Sequence, residues 1–162
     1  MKGLVTRAVA LAFGLTLLGA LVALGAPVLH GKTYSGSTAN KGRSSTGASV
    51  IVGKFPVTLR VSANGGSVTG SVGRKGQDAL GFCAGFDYVL RSQSAHRASI
   101  AKSGAFHLII DQKLRPVGNF PKRNDMMTVS GKFADRSVTG IVTTNVDSKY
   151  CSGWVKFSAR AG

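Results

Sequence analysis

From residue 50 onward the chain alternates. In VTLRVS, Val57, Leu59 and Val61 fall on one side and Thr58, Arg60 and Ser62 on the other, the period of two of a strand with one buried face. Asn64-Gly65-Gly66 then supplies residues that tolerate positive φ. SVTGSV resumes the alternation, with Val68, Gly70 and Val72 against Ser67, Thr69 and Ser71. The pattern predicts a β-hairpin. A second follows: MTVSGKF places Met127, Val129 and Phe133 on one face, Ala134-Asp135-Arg136 turns, and SVTGIV runs back. Each SVTG leads to a cysteine strand, FCAGFDYV or YCSGWVKF, 16 residues from serine to cysteine in the first copy and 14 in the second. Residues 57–90 thus match residues 127–160 in order. Between the copies lie a further alternating segment, GAFHLIID from Gly104, and a basic loop read over residues 112–125.

A hairpin with one apolar face cannot bury that face alone. Two copies can cover each other, stacked face to face or joined in one closed sheet. The expected fold is therefore all-β: an antiparallel sandwich or barrel of about eight strands, built from two similar hairpin-plus-cysteine-strand units. The composition agrees. Glycine occurs 22 times, and all six acidic residues are aspartates; a helical surface would use glutamate freely.

Two segments stand outside the alternation. Lys2 and Arg7 precede an apolar and small-residue run from Ala8 to Ala26, with a small-residue boundary at its end. That layout predicts a signal peptide over residues 1–25, cleaved near Gly25; an uncleaved signal helix anchored in the membrane is the rival reading. Residues 26–49 are the second segment. Twelve of the twenty residues from His30 to Ser49 are Gly, Ser or Thr, which predicts a flexible tether; a first edge strand over Thr33 to Thr38 is the alternative reading. The all-β domain then covers residues 50–162. Both cysteines lie in the exported part, so a Cys83–Cys151 disulfide is expected between the units, contributing about 4 kcal/mol in the chain-entropy model. Two cysteines so far apart give no metal-ligand spacing, and no segment calls for a cofactor.

The run GKF, a tight turn, VTGIV and the closing CSGWVKFSAR resembles small secreted all-β proteins of unassigned function from high-GC Gram-positive bacteria. The resemblance covers roughly the last hundred residues. It implies export and a β-rich domain, and supplies no catalytic residues.

The residues themselves offer three leads. Acid–base chemistry has little to work with: His30 lies in the predicted tether, His96 in a polar run, and His107 on the polar side of its strand, while Asp87 is the one aspartate placed to approach a buried face. No nucleophile elbow or phosphate loop is present, so a non-enzyme is expected. Aromatic residues form the second lead. Phe82, Phe86 and Tyr88 alternate on one face of the first cysteine strand, and Tyr150 and Trp154 take the corresponding face of the second. If the cysteine faces are core, these five form a partly exposed platform for sugars or apolar ligands. Charge is the third. The chain carries +15, and the 19 basic and 6 acidic side chains left without Lys2 and Arg7 give +13. Arg74-Lys75 and the predicted loop with Lys113, Arg115, Lys122 and Arg123 are the densest clusters, the latter forming a candidate polyanion contact. Export and the lack of any DNA-reading motif argue against genomic DNA. The expected activity is non-catalytic binding of an anionic cell-envelope polymer by a secreted or envelope-associated domain. The alternative is a structural or inhibitory protein that contacts another secreted protein, with membrane contact only through an uncleaved signal segment.

Overall fold

A computed structural model describes residues 28–80, 82, 88–118, 123–145 and 152–162. The predicted signal peptide and both cysteines lie outside them, as do Phe86, Asp87, Tyr150 and Lys122. The described residues hold no helix. They form one curled antiparallel sheet of ten strands: β1 (Thr33–Ser44), β2 (Ser49–Ile51), β3 (Pro56–Val61), β4 (Ser67–Val72), β5 (Tyr88–Ala95), β6 (Ala98–Ser99), β7 (Ala105–Pro116), β8 (Arg123–Ala134), β9 (Ser137–Asn145) and β10 (Gly153–Ala161). Eight of these have six residues or more, which agrees with the expected strand number; the two-sheet sandwich is replaced by a single sheet. Its order is β5-β7-β8-β9-β10-β1-β3-β4-β6, with β2 paired to β1.

Both hairpins form where the alternation breaks. In the first, Gly65 takes φ +73° and Asn64 Oδ1 accepts bonds from the Gly66 amide (3.0 Å) and the Ser62 hydroxyl (2.7 Å). In the second, Ala134 pairs with Ser137 across a two-residue turn, in which Asp135 has φ +53°, a conformation that aspartate tolerates better than most side chains. Val57, Leu59, Val61, Val68 and Val72 from one hairpin and Met127, Val129, Phe133, Val138 and Val142 from the other are all buried.

The SVTG glycine has the same task in each copy. Gly70 lies opposite Leu59 and Gly140 opposite Gly131. A Cβ on Gly70 would press on the Thr58 carbonyl and come within 2.7 Å of Leu59 Cδ2; on Gly140 it would press on the Ser130 carbonyl and come within 2.7 Å of the Phe157 ring. The motif recurs because two strands approach closely at the same point of two hairpins.

The repeat does not extend to the third strand. In the second unit β8, β9 and β10 are successive neighbours, whereas in the first β5 leaves β4 and pairs with β7. The expected pair of equivalent three-strand units is therefore only half present. β5 is instead held near the first hairpin by the segment after β4: the Gly76 amide donates to Leu90 O (2.8 Å), the Leu90 amide to Gln77 O (2.9 Å) and the Ala79 amide to Tyr88 O (2.6 Å). Further along, the Gln93 side chain spans the gap. Its Oε1 accepts from the Val72 amide at 3.1 Å and its Nε2 donates to Gly73 O at 3.4 Å. A primary amide thus does the work of a missing peptide group, and the two ends of the curled sheet meet along this seam.

The tether expectation is corrected, and of its alternative, an edge strand over Thr33 to Thr38, the strand is present and the edge is not. β1 is neither a tether nor an edge: it lies between β10 and β3, so the domain begins well before residue 50. Its inward positions explain the misreading, because they are Tyr34, Thr38 and Gly42 rather than a run of aliphatics. Tyr34 is fully buried, meets Phe133 edge-on at 4.9 Å and donates its hydroxyl to Asp135 O at 2.9 Å. The Thr38 hydroxyl accepts from the Phe55 amide at 2.9 Å. Gly42 and Gly153 leave room for the Phe82 ring, which a Cβ at either position would strike.

Candidate anion-binding surface

The predicted basic loop is largely strand. β7 continues to Pro116 and β8 starts at Arg123, in register from Ala105↔Lys132 to Leu114↔Arg123. The alternation carries on through the charged stretch: Leu108, Ile110, Gln112 and Leu114 are buried while Asp111, Lys113 and Arg115 are exposed. Lys113 and Arg115 therefore project from the outer face of a rigid strand, about 6–7 Å apart at the rise of two residues. Lys122 lies outside the described residues, and of Arg123 only the backbone position is given.

What joins these two cations is β5 and the turn before it. Val89 pairs with Arg115 and Ser92 with Lys113, and the register shifts between Leu90 and Ser92, leaving Arg91 as an extra residue in a β-bulge, a device that re-aims side chains at sheet edges. The turn after β4, held by the Gly76 amide on Leu90 O, brings in Lys75. Lys75, Arg91 and Arg115 line one open groove of about 360 Å³ with Gly76, Val89 and Leu90. All three cations are exposed, as are their neighbours Arg74 and Lys113. The two basic clusters of the sequence, 38 residues apart between Lys75 and Lys113, thus share one surface. Arg91, which links them, was missed. Its signal was weak: a single arginine closing the Val89-Leu90 pair gave no cluster to notice.

Arginine suits such a groove. Its planar, permanently charged fork matches phosphate, sulfate or carboxylate oxygens two at a time, and Lys75 adds a mobile point charge. The exposed setting keeps each contact modest and sensitive to salt.

Of the predicted aromatic platform, Phe86 and Tyr150 lie outside the described residues, and Phe82, Tyr88 and Trp154 do not come together on one face. Phe82 is buried, at 5% exposure, inside the curl. Tyr88 shares the face of β5 that carries buried Leu90 and is half-buried, whereas Trp154 shares the outer face of β10 with exposed Lys156 and is half-exposed. β7, β8 and β9 separate these two strands. The stripe needed Tyr88 and Trp154 at equivalent places in the two units, and the pairing of β5 with β7 removes that equivalence.

The histidines are found on open surface. His107 Nδ1 lies 2.7 Å from Ser130 Oγ and His96 Nε2 2.7 Å from Asp111 Oδ2, all four side chains being exposed or half-exposed. Neither pair lines any of the grooves described on this surface. His30 stands over Gly65, where its ring occupies the space a Cβ would need. Among the described residues no three metal-ligating side chains come together, and no helix is long and apolar enough to cross a membrane.

Comparison with protein-family models and with curated proteins finds no match for this chain.

Proposed function

We propose that the protein is an exported, non-catalytic binding domain that attaches to an anionic polymer of the cell envelope through the groove between Lys75, Arg91 and Arg115. The observation that carries this reading is the convergence of those three cations from a turn, a bulge and a strand, with Lys113 beside them. A net charge of +15 draws polyanions to the whole molecule, but the groove concentrates it on a rigid frame, where positioning is already fixed before the ligand arrives. The basic n-region and apolar run at the N-terminus support export, as does the resemblance to small secreted β-rich proteins. An exported strand-rich domain with a cationic groove meets teichoic-acid-type phosphates or acidic glycans before it meets any nucleic acid.

The test is retention on immobilised teichoic acid or heparin across a salt series, comparing the protein with its Lys75→Gln/Arg91→Gln/Arg115→Gln variant. Each lost phosphate contact should lower the slope of log affinity against log salt by about 0.7–0.9, so a drop of about 2–3 is expected for the three substitutions, with the melting temperature unchanged. An equal slope in the variant would leave only diffuse charge and end the assignment.

A further inference from the structure

A second groove lies on another part of the sheet. β1 and β10 pair from Tyr34↔Ala161 to Thr38↔Phe157 and again from Gly42↔Val155. Four residues of β1 therefore span what β10 covers in two, and Lys156 has no residue opposite it on β1. The bulged chain is held away by the following segment: the Val52 amide donates to Asn40 O at 3.0 Å and the Thr38 amide to Phe55 O at 2.9 Å. This leaves an open groove of about 730 Å³ whose lining includes Ser37, Lys54, Thr139, Ile141, Lys156 and Ser158.

The lining has a consistent chemistry. Three hydroxyls can each donate and accept. Ile141, 38% exposed, provides an apolar patch one row along, opposite Lys156. Lys54 and Lys156 bring positive charge, and no acidic residue lines the groove. One row along the sheet, Trp154 stands on the same outer face, flanked by Arg43 on β1 and Thr143 on β9. A flat aromatic and an aliphatic patch beside hydroxyls suit a rigid ring that is apolar on its faces and hydroxylated at its rim. The two ammonium groups add the requirement for an anionic substituent. A peptide adding as a strand is poorly served, since β10 is already paired on both sides and offers no free edge.

We propose that this groove binds an acidic glycan: a pyranose unit bearing a carboxylate, held by Lys54 and Lys156, with its hydroxyls on Ser37, Thr139 and Ser158 and the neighbouring unit against Trp154. The proposal uses none of the residues of the Lys75–Arg91–Arg115 groove, so either site can fail without the other.

Trp154 is the chain's one tryptophan, so its fluorescence reports this surface directly. The probe is a tetramer of galacturonic acid, with its fully methyl-esterified form as the neutral counterpart. A saturable change in Trp154 emission is expected with the acid, at least tenfold weaker binding with the ester, and at least tenfold weaker binding of the acid by Lys54→Gln/Lys156→Gln. A charge-matched control, Lys102→Gln/Arg136→Gln, removes two exposed cations that line neither groove and should bind the acid tetramer within twofold of the unmodified protein. No emission change with the acid, equal affinity for the ester, or equal affinity in the Lys54/Lys156 variant would each overturn the proposal. An inorganic polyphosphate that reproduced the same emission change at equal charge would overturn it as well, since charge alone would then suffice.

Discussion

Replacing Gln93 with leucine tests how the curled sheet is held together. The side chain spans the seam between β5 and the end of β4, accepting from Val72 N–H at 3.1 Å and donating to Gly73 O at 3.4 Å. The second bond is long, beyond the usual 2.7–3.2 Å for N–H···O, and contributes little. The first matters more, because Val72 is buried at 1% exposure and its amide would lose its acceptor. Leaving such a donor unsatisfied costs about 1–3 kcal/mol. Leucine returns some apolar burial, yet Gln93 is only half-buried, so the return is small and a net loss of about 2 kcal/mol is expected. For a domain of this size that lowers the melting temperature by roughly 6–10 °C. Gln93→Glu should fall between: it keeps an acceptor for Val72 N–H but turns a second acceptor toward the Gly73 carbonyl. Thermal unfolding followed by circular dichroism gives the global cost. Amide hydrogen exchange gives the local one, with Val72 losing protection beyond the change in global stability. A Gln93→Leu protein melting within about 2 °C of the parent, with Val72 still protected, would show that the side-chain bridge is incidental to the seam.

Two further outcomes follow from the same geometry. Gly140→Ala gains about 0.5–1 kcal/mol from reduced chain entropy but forces a Cβ onto the Ser130 carbonyl and the Phe157 ring, overpacking that costs about 1–3 kcal/mol; chemical denaturation should show net destabilisation, with Gly70→Ala behaving alike, and a stabilised Gly140→Ala would refute the close-approach account. Phe82, next to Cys83, packs on Gly153, two residues from Cys151, so non-reducing peptide mapping of protein from the culture medium should recover a Cys83–Cys151 pair and a mature N-terminus near Ala26, whereas two alkylated thiols would exclude the bridge.

What the sequence made legible was strand and turn wherever alternating positions carried aliphatic side chains. Both hairpins, their turns and their buried faces could be read from Val, Leu and Met at every second place. β1 could not, because its inward positions are filled from elsewhere: Phe82 covers Gly42, and Thr38 spends its hydroxyl on a backbone amide. The outer half of β7 was misread for a related reason. Gln112 takes an inward place, buried at 4% exposure, and the flanking cations and prolines imitate a loop. The anion surface was legible as two separate charge clusters; that they form one groove depends on a bulge at Arg91, and a bulge is a matter of register that local composition does not encode. The separation of Tyr88 from Trp154 has the same cause, since only pairing could reveal that β5 leaves its own hairpin for β7.

The place of β1 also sets the order in which this molecule can form. Tyr34 and Ala161 are direct cross-strand partners, although almost the whole domain separates them along the chain, and Gly162 N–H still reaches Thr33 O at 3.2 Å. β1 leaves the ribosome well before β10 and must wait for it. Until β10 arrives, one long edge of β1 lacks its partner, and such unpaired edges invite association between chains. Pairings this distant fold slowly, because loop closure precedes any reward.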